Sequence, residues 1–362
     1  MYRSYFNAGE KKIMIRRLSG IGINKIVAFL LSACACSFAT NYNEYADLNR
    51  ELMLLPASAS LAGADLSLSS GACFGSCPSN LPFDSLNNLS LSYANFFQNT
   101  FSTSLLSFSG PADSGGGIGI TAGYVNIPDI EDNRNTVTTE SNTLIYDYKI
   151  KNCSDIFFRF GYGHLFSLNS RLIISAGVAA NARRTRLIDY SGYGLGLDGG
   201  AKLLDRQSGV SAVLQMENIT SHYTYWSKDY RVYSYPHLRL GLGIDRNIPY
   251  IYGRIRIGYT SPDLLSNEGI NYSKTETDTN DQKIEVLFKK KVYKNPELLF
   301  NDGRLGLEYT IMNRVALRAG LSQGKINFGA GLKLFSNRAG LDFAYTIHQL
   351  AGTYQVSMMY RW

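Results

Sequence analysis

The chain has 362 residues, a formal net charge of +7 and 45% hydrophobic residues. No run of about eighteen or more uncharged apolar residues occurs, so no transmembrane helix is expected in the mature protein. Residues 1–39 hold six of the 36 Lys/Arg and one of the 29 Asp/Glu. The rest, with 30 basic and 28 acidic residues, carries only +2, and a nucleic-acid partner has little basis.

Residues 1–39 read as a secretory signal. Lys11, Lys12, Arg16, Arg17 and Lys25 form a basic leader, Ile26 to Leu31 an apolar core, and Ser37-Phe38-Ala39 a small-x-small cleavage site. Leu31-Ser32-Ala33-Cys34 is also similar to a lipobox, which would lipidate Cys34; cleavage after Ala39 is the preferred expectation. Three cysteines then remain: Cys73, Cys77 and Cys153. An oxidising periplasm favours a Cys73–Cys77 disulfide and leaves Cys153 as a lone thiol.

Residues 40–88 form a separate N-terminal segment. Tyr45, Leu48, Leu52 and Leu55 recur at helical spacing over 43–55, and Ala, Ser, Gly and Pro crowd the stretch from Pro56 to Pro82. The segment is either a small hatch that sits in or beneath the remainder of the chain, or a disordered leader.

From Leu89 to the C-terminus, apolar and polar residues alternate. The expected strands are 89–97, 100–109, 116–125, 154–166, 170–185, 192–204, 209–219, 235–245, 250–260, 303–312, 313–322, 325–335, 338–348 and 351–362. Their apolar faces are continuous: Leu238, Leu240, Leu242 and Ile244 alternate with Arg239, Gly241, Gly243 and Asp245, and Leu341, Phe343, Tyr345 and Ile347 with Asp342, Ala344, Thr346 and His348. Arg or Lys on a lipid face near the midplane costs about 2–4 kcal/mol, and here the charges keep to the other face. The last strand ends on Tyr360 and Trp362, an aromatic terminus suited to a membrane interface. The expected fold is therefore all-β: a transmembrane antiparallel barrel of about 14 strands over 89–362, in the outer membrane of a Gram-negative bacterium. Loop parity agrees. The long connections 126–153, 220–234 and 261–302 all fall at odd positions, on the extracellular side.

No nucleophile elbow, phosphate loop or metal-ligand cluster occurs, and His164, His222, His237 and His348 are the only histidines. No enzyme activity, cofactor or metal is expected. The site candidates are the inward charges Arg239, Arg254, Arg256, Arg304, Glu308, Arg314, Arg318, Lys333 and Asp342. They would bind an anionic head group or pair among themselves. Tyr223, Tyr225, Trp226, Tyr230 and Tyr233 crowd one long loop. They would form a docking surface or the aromatic belt of an extended hairpin. Lys289, Lys290 and Lys291 would meet lipopolysaccharide phosphates or face solvent. No apolar ligand pocket is legible on the inward faces.

The stretches Arg304 to Leu321 (RLGLEYTIMNRVALRAGL), Asn327 to Lys333 (NFGAGLK), Leu341 to Tyr345 (LDFAY) and Leu89 to Phe96 (LSLSYANF) resemble the PorV/PorQ-type outer-membrane proteins of the FadL-like long-chain fatty acid transporter superfamily. The Asn-Pro-Ala-Gly-Leu stretch usual before that family's barrel reads Cys77-Pro78-Ser79-Asn80-Leu81 here, with only Pro78 and Leu81 kept. The resemblance implies a fourteen-stranded barrel with an N-terminal hatch. It implies either a surface platform or shuttle for secreted proteins, of type IX secretion kind, or a transporter of hydrophobic small molecules. The partners implied are outer-membrane lipid and lipopolysaccharide, secreted proteins or secretion-machinery components, or a hydrophobic small molecule.

Overall fold

The computed structural model describes residues 53–68, 76–112, 114–132, 137–138, 144–145, 149–227, 231–266, 271–277, 283–289, 291–348 and 351–362. The signal over 1–39, most of the helix expected over 43–55, Cys73 and Tyr230 lie outside them.

Fourteen strands make the wall. They are β1 (Asn88–Phe96), β2 (Phe101–Pro111), β3 (Gly116–Asp132), β4 (Lys149–Ser167), β5 (Leu172–Leu187), β6 (Tyr190–Asp205) and β7 (Val210–Glu217), followed by β8 (His237–Ile248), β9 (Gly253–Thr260), β10 (Arg304–Ile311), β11 (Val315–Ser322), β12 (Lys325–Leu334), β13 (Ala339–Thr346) and β14 (Thr353–Arg361). Each pairs antiparallel with its sequence neighbours. The sheet closes where β14 meets β1, with Asn88 opposite Arg361 and Asn95 opposite Tyr354. Closure leaves no open edge, the condition for spanning hydrocarbon with strands.

All fourteen expected strands are present. Two run further: β3 and β4 stay paired beyond residues 125 and 154, through a bulge between Ile127 and Ile130, to Asp132 opposite Lys149. The expected loop 126–153 is thus partly an extension of the wall. The 220–234 loop likewise contains a hairpin, His222–Trp226 against Arg231–Ser234, which adds to β6 with Tyr223 opposite Leu195 and Tyr225 opposite Tyr193. Alternation in those loops carries strand propensity past the membrane.

The outer surface is apolar. Leu91, Phe158, Val178, Leu195, Leu307, Phe328 and Phe343 all point out and are exposed. The positions between them face in and are polar: Ser90, Ser92, Thr121, Arg159, Asp198, Gln215, Glu308 and Gln355 are buried. Such inside-out burial needs lipid around the wall. With short turns at one end and long connections at the other, this is an outer-membrane β-barrel with both wall termini on the periplasmic side.

Residues 53–68 and 76–83 cross the lumen. They include the short helix α1 (Pro56–Ser60) and a 3-10 turn over Pro78–Phe83. Small residues let this plug sit against the wall. A Cβ on Gly117 would fall on the Leu81 carbonyl, and one on Gly177 would lie 2.5 Å from the Pro78 carbonyl carbon. The wall is bare where the plug backbone passes.

Candidate functional site

A plug buried in a barrel must satisfy its backbone carbonyls from the wall. Arg159 Nη2 donates to Ser76 O at 2.8 Å, Ser175 Oγ to Ser79 O at 2.6 Å and Asn327 Nδ2 to Ala59 O at 2.8 Å. Lys202 Nζ donates to Ser67 O at 2.7 Å and to Asn80 Oδ1 at 2.8 Å, and Arg256 donates to Leu68 O. These donor residues lie on β4, β5, β6, β9 and β12, so they hold the plug from several sides.

The remaining lumen charges pair across strands. Glu308 accepts from Arg318 Nε at 2.6 Å and Arg256 Nη1 at 3.2 Å, and Arg318 Nη1 reaches Asp342 at 2.6 Å. Arg318 and Asp342 are separated by β12, and Gly331 lies between them with no side chain to block the contact. At the periplasmic end Arg254 forms a two-bond pair with Asp245, each bond 2.5 Å. On the opposite wall Arg159 lies 3.5 Å from Asp198, which also accepts from Asn181 Nδ2 at 2.8 Å and the Asn218 N–H at 3.0 Å. Arg183 pairs with Asp155 at 2.7 Å, and Arg239 lies 3.7 Å from Glu217.

Of the sequence candidates, Arg256, Glu308, Arg318 and Asp342 thus meet in one ladder, with Arg254 joined to it through Asp245, which Arg256 also approaches at 3.5 Å. Arg239 belongs to the other wall. Lys333 donates to Asn313 at 3.1 Å, Arg314 is exposed at the turn after β10, and Arg304 lies beside Gly63 of the plug. Arg159, Asp155, Asp198, Lys202 and Glu217 were missed. Alternation on 154–166 and 192–204 would have placed the first four inward.

On the plug itself, burial raises the Asp65 carboxyl above its ordinary value, against the hydrogen bond it accepts from Ser58 Oγ at 2.7 Å. Burial likewise pushes up the Cys77 thiol, whose Sγ lies 3.0 Å from Ser79 Oγ. Cys77 and Cys153 are both free and buried; the other half of the expected Cys73–Cys77 bridge lies outside the described residues.

The inward faces are not polar throughout. Met53 of the plug packs with the inward-facing Leu105, Val125 and Phe157, and Leu55, Phe101 and Ile127 close around them. Phe96 and Phe101 stack at 4.4 Å between ring centroids, at the extracellular end of β1 and β2. The Arg183 guanidinium lies 4.8 Å over the Phe157 ring. An apolar cluster therefore fills the lumen where the plug meets β2, β3 and β4, with the Phe96–Phe101 pair on its extracellular side. The C-terminal strands, where charges dominate the inward faces, give no sign of it.

Tyr223 and Tyr225 are exposed on the outward side of the added hairpin, Trp226 lies against Gly192, and the side chain of Tyr233 lies outside the described residues. The same holds for Lys290 and the side chain of Lys289; Lys291 is exposed, 5.6 Å over the Tyr293 ring.

The fold and its filled lumen define the class: a plugged outer-membrane barrel. No protein-family model and no curated sequence matches the chain. Among solved structures it is similar to the Ralstonia pickettii toluene transporter TbuX, at 12% identity and a TM-score of 0.46 over 87% of this chain and 99% of that one. It is also similar to a Pseudomonas aeruginosa FadL homologue (11%, TM-score 0.46, 85% and 99%) and to the Pseudomonas putida toluene transporter TodX (11%, TM-score 0.42, 88% and 97%).

Proposed function

We propose that the barrel is a transporter of hydrophobic small molecules across the outer membrane, without enzymatic activity. The observation that carries this reading is the apolar cluster of Phe101, Leu105, Val125 and Phe157 packed around Met53 of the plug, with Phe96 stacked on Phe101. Such an apolar surface inside the lumen favours an apolar solute over an ion or sugar. The plug argues against open diffusion. A platform for secreted proteins draws less support, because the exposed Tyr223 and Tyr225 continue the lipid-facing side of β6 and need no protein partner there.

Toluene, the substrate named for two of the similar barrels, serves as the probe. Val125→Asp places a carboxylate in this cluster, and uptake of labelled toluene by expressing cells should fall about tenfold or more. Folding is checked on the same samples by heat-modifiable mobility in gels. Uptake by V125D equal to that of the unaltered protein, or uptake by the latter no faster than in cells lacking the barrel, would remove the reading.

A further inference from the structure

The outward face of β5 changes character abruptly. From the periplasmic side it reads Ile174, Ala176, Val178, Ala180 and Ala182, and then Arg184 and Arg186, both exposed. Nine residues of strand, from Ile174 to Ala182, are close to the length a tilted strand needs to cross hydrocarbon. The two arginines therefore stand where the outer-leaflet head groups begin.

They do not stand alone. Register aligns Arg184 with Tyr193 on β6, Tyr193 with Tyr225 on the added hairpin, and Tyr225 with Arg231. The Arg184 guanidinium lies 5.7 Å over the Tyr193 ring, and that of Arg231 5.4 Å over the Tyr225 ring. Two rings side by side are thus capped by a cation at each end, with Arg186 one outward position above Arg184. Leu195, 67% exposed, lies directly below Tyr193 on the same face.

The lumen cations Arg159, Arg183, Arg256 and Arg318 each have a carboxylate partner. Among the described residues, no carboxylate pairs with Arg184, Arg186 or Arg231. Cations held on aromatic faces keep their donors free for an external anion. The ligand must be anionic at this height and apolar below it.

We propose that Arg184, Arg186 and Arg231, on the Tyr193–Tyr225 platform, form a binding site for the phosphorylated glucosamine head of a lipid A-type glycolipid in the outer leaflet. The guanidinium groups bind its phosphates by paired hydrogen bonds, the tyrosine rings pack on its sugar, and its acyl chains lie along Leu195 and Val178.

The full chain, folded in detergent, would be mixed with bisphosphorylated lipid A and bound lipid counted by native mass spectrometry. The unaltered protein should retain lipid A. The R184Q/R186Q/R231Q variant should lose affinity about tenfold or more, and R206Q/R338Q, on periplasmic turns, should lose none. The single variants, each with a smaller loss of about threefold, keep the test readable should the triple variant not fold. Dephosphorylated lipid A should bind the unaltered protein no better than the triple variant binds lipid A. Equal retention by the triple variant, equal loss in R206Q/R338Q, indifference to dephosphorylation, or full displacement by inorganic phosphate alone would each overturn the proposal.

Discussion

Glu308 is where the physics of single residues is sharpest. It is buried between two guanidinium groups, and Thr310 donates to it as well, at 3.2 Å. Removing one partner of a buried pair leaves the others desolvated without compensation, a cost of about 3–5 kcal/mol. Glu308→Ala should therefore destabilise the detergent-folded barrel by that much in urea unfolding. Arg254→Gln removes a half-exposed pair at the periplasmic end, where solvent screens the charges, and should cost about 1 kcal/mol or less. Equal losses in the two variants would mean that burial does not set the cost here. Part of this was legible from spacing. Arg256, Glu308, Arg318 and Asp342 share a parity that sends all four inward, but nothing local says that Arg318 passes over Gly331 to reach Asp342.

At the scale of elements, the wall and the plug were matched by subtraction. Polar donors hold the carbonyls of Ala59, Ser67, Leu68, Ser76 and Ser79, and glycines make room between them. The turn Pro78–Phe83 fits closely, pressed between Gly117 on β3 and Gly177 on β5. Gly117→Ala combined with Gly177→Ala should force this turn away from both strands while leaving the outer face untouched. The barrel should still insert, and its single-channel conductance in planar bilayers should rise above that of the unaltered protein. Small residues crowding Pro56 to Pro82 hinted at close packing, but the wall glycines gave no hint of their own. Glycine is common in barrel strands, and only closure shows which ones face a backbone.

At the scale of the whole molecule, the apolar outer belt requires lipid or detergent, since those side chains have no protein partner. Unheated samples should migrate faster in gels than boiled ones. The filled lumen sets the second expectation: the intact chain should conduct poorly in planar bilayers, and deletion of residues 40–86 with the leader kept should open a large, steady conductance. An intact chain that already conducts like an open porin would remove the plug as a barrier. Leu105, Val125 and Phe157 pack against Met53 of the plug, so the apolar part of the lumen and the barrier to ions meet at one place.

The amino-acid sequence by itself determined the strands, their number, their faces and the side of the membrane for each long loop. All four come from local rules: side chains alternate with period two, lipid tolerates no charge on one face, and the bilayer sets the strand length. Tertiary structure alone decided the seam between β1 and β14, the seat of the plug, the Arg159–Asp198 pair and the row Arg184–Tyr193–Tyr225–Arg231. The seam and the seat of the plug depend on closure of the sheet, the pair and the row on the register between neighbouring strands. A shift of one residue between two strands would turn the contacts that join them to the wrong face, and no local pattern records which residues are paired.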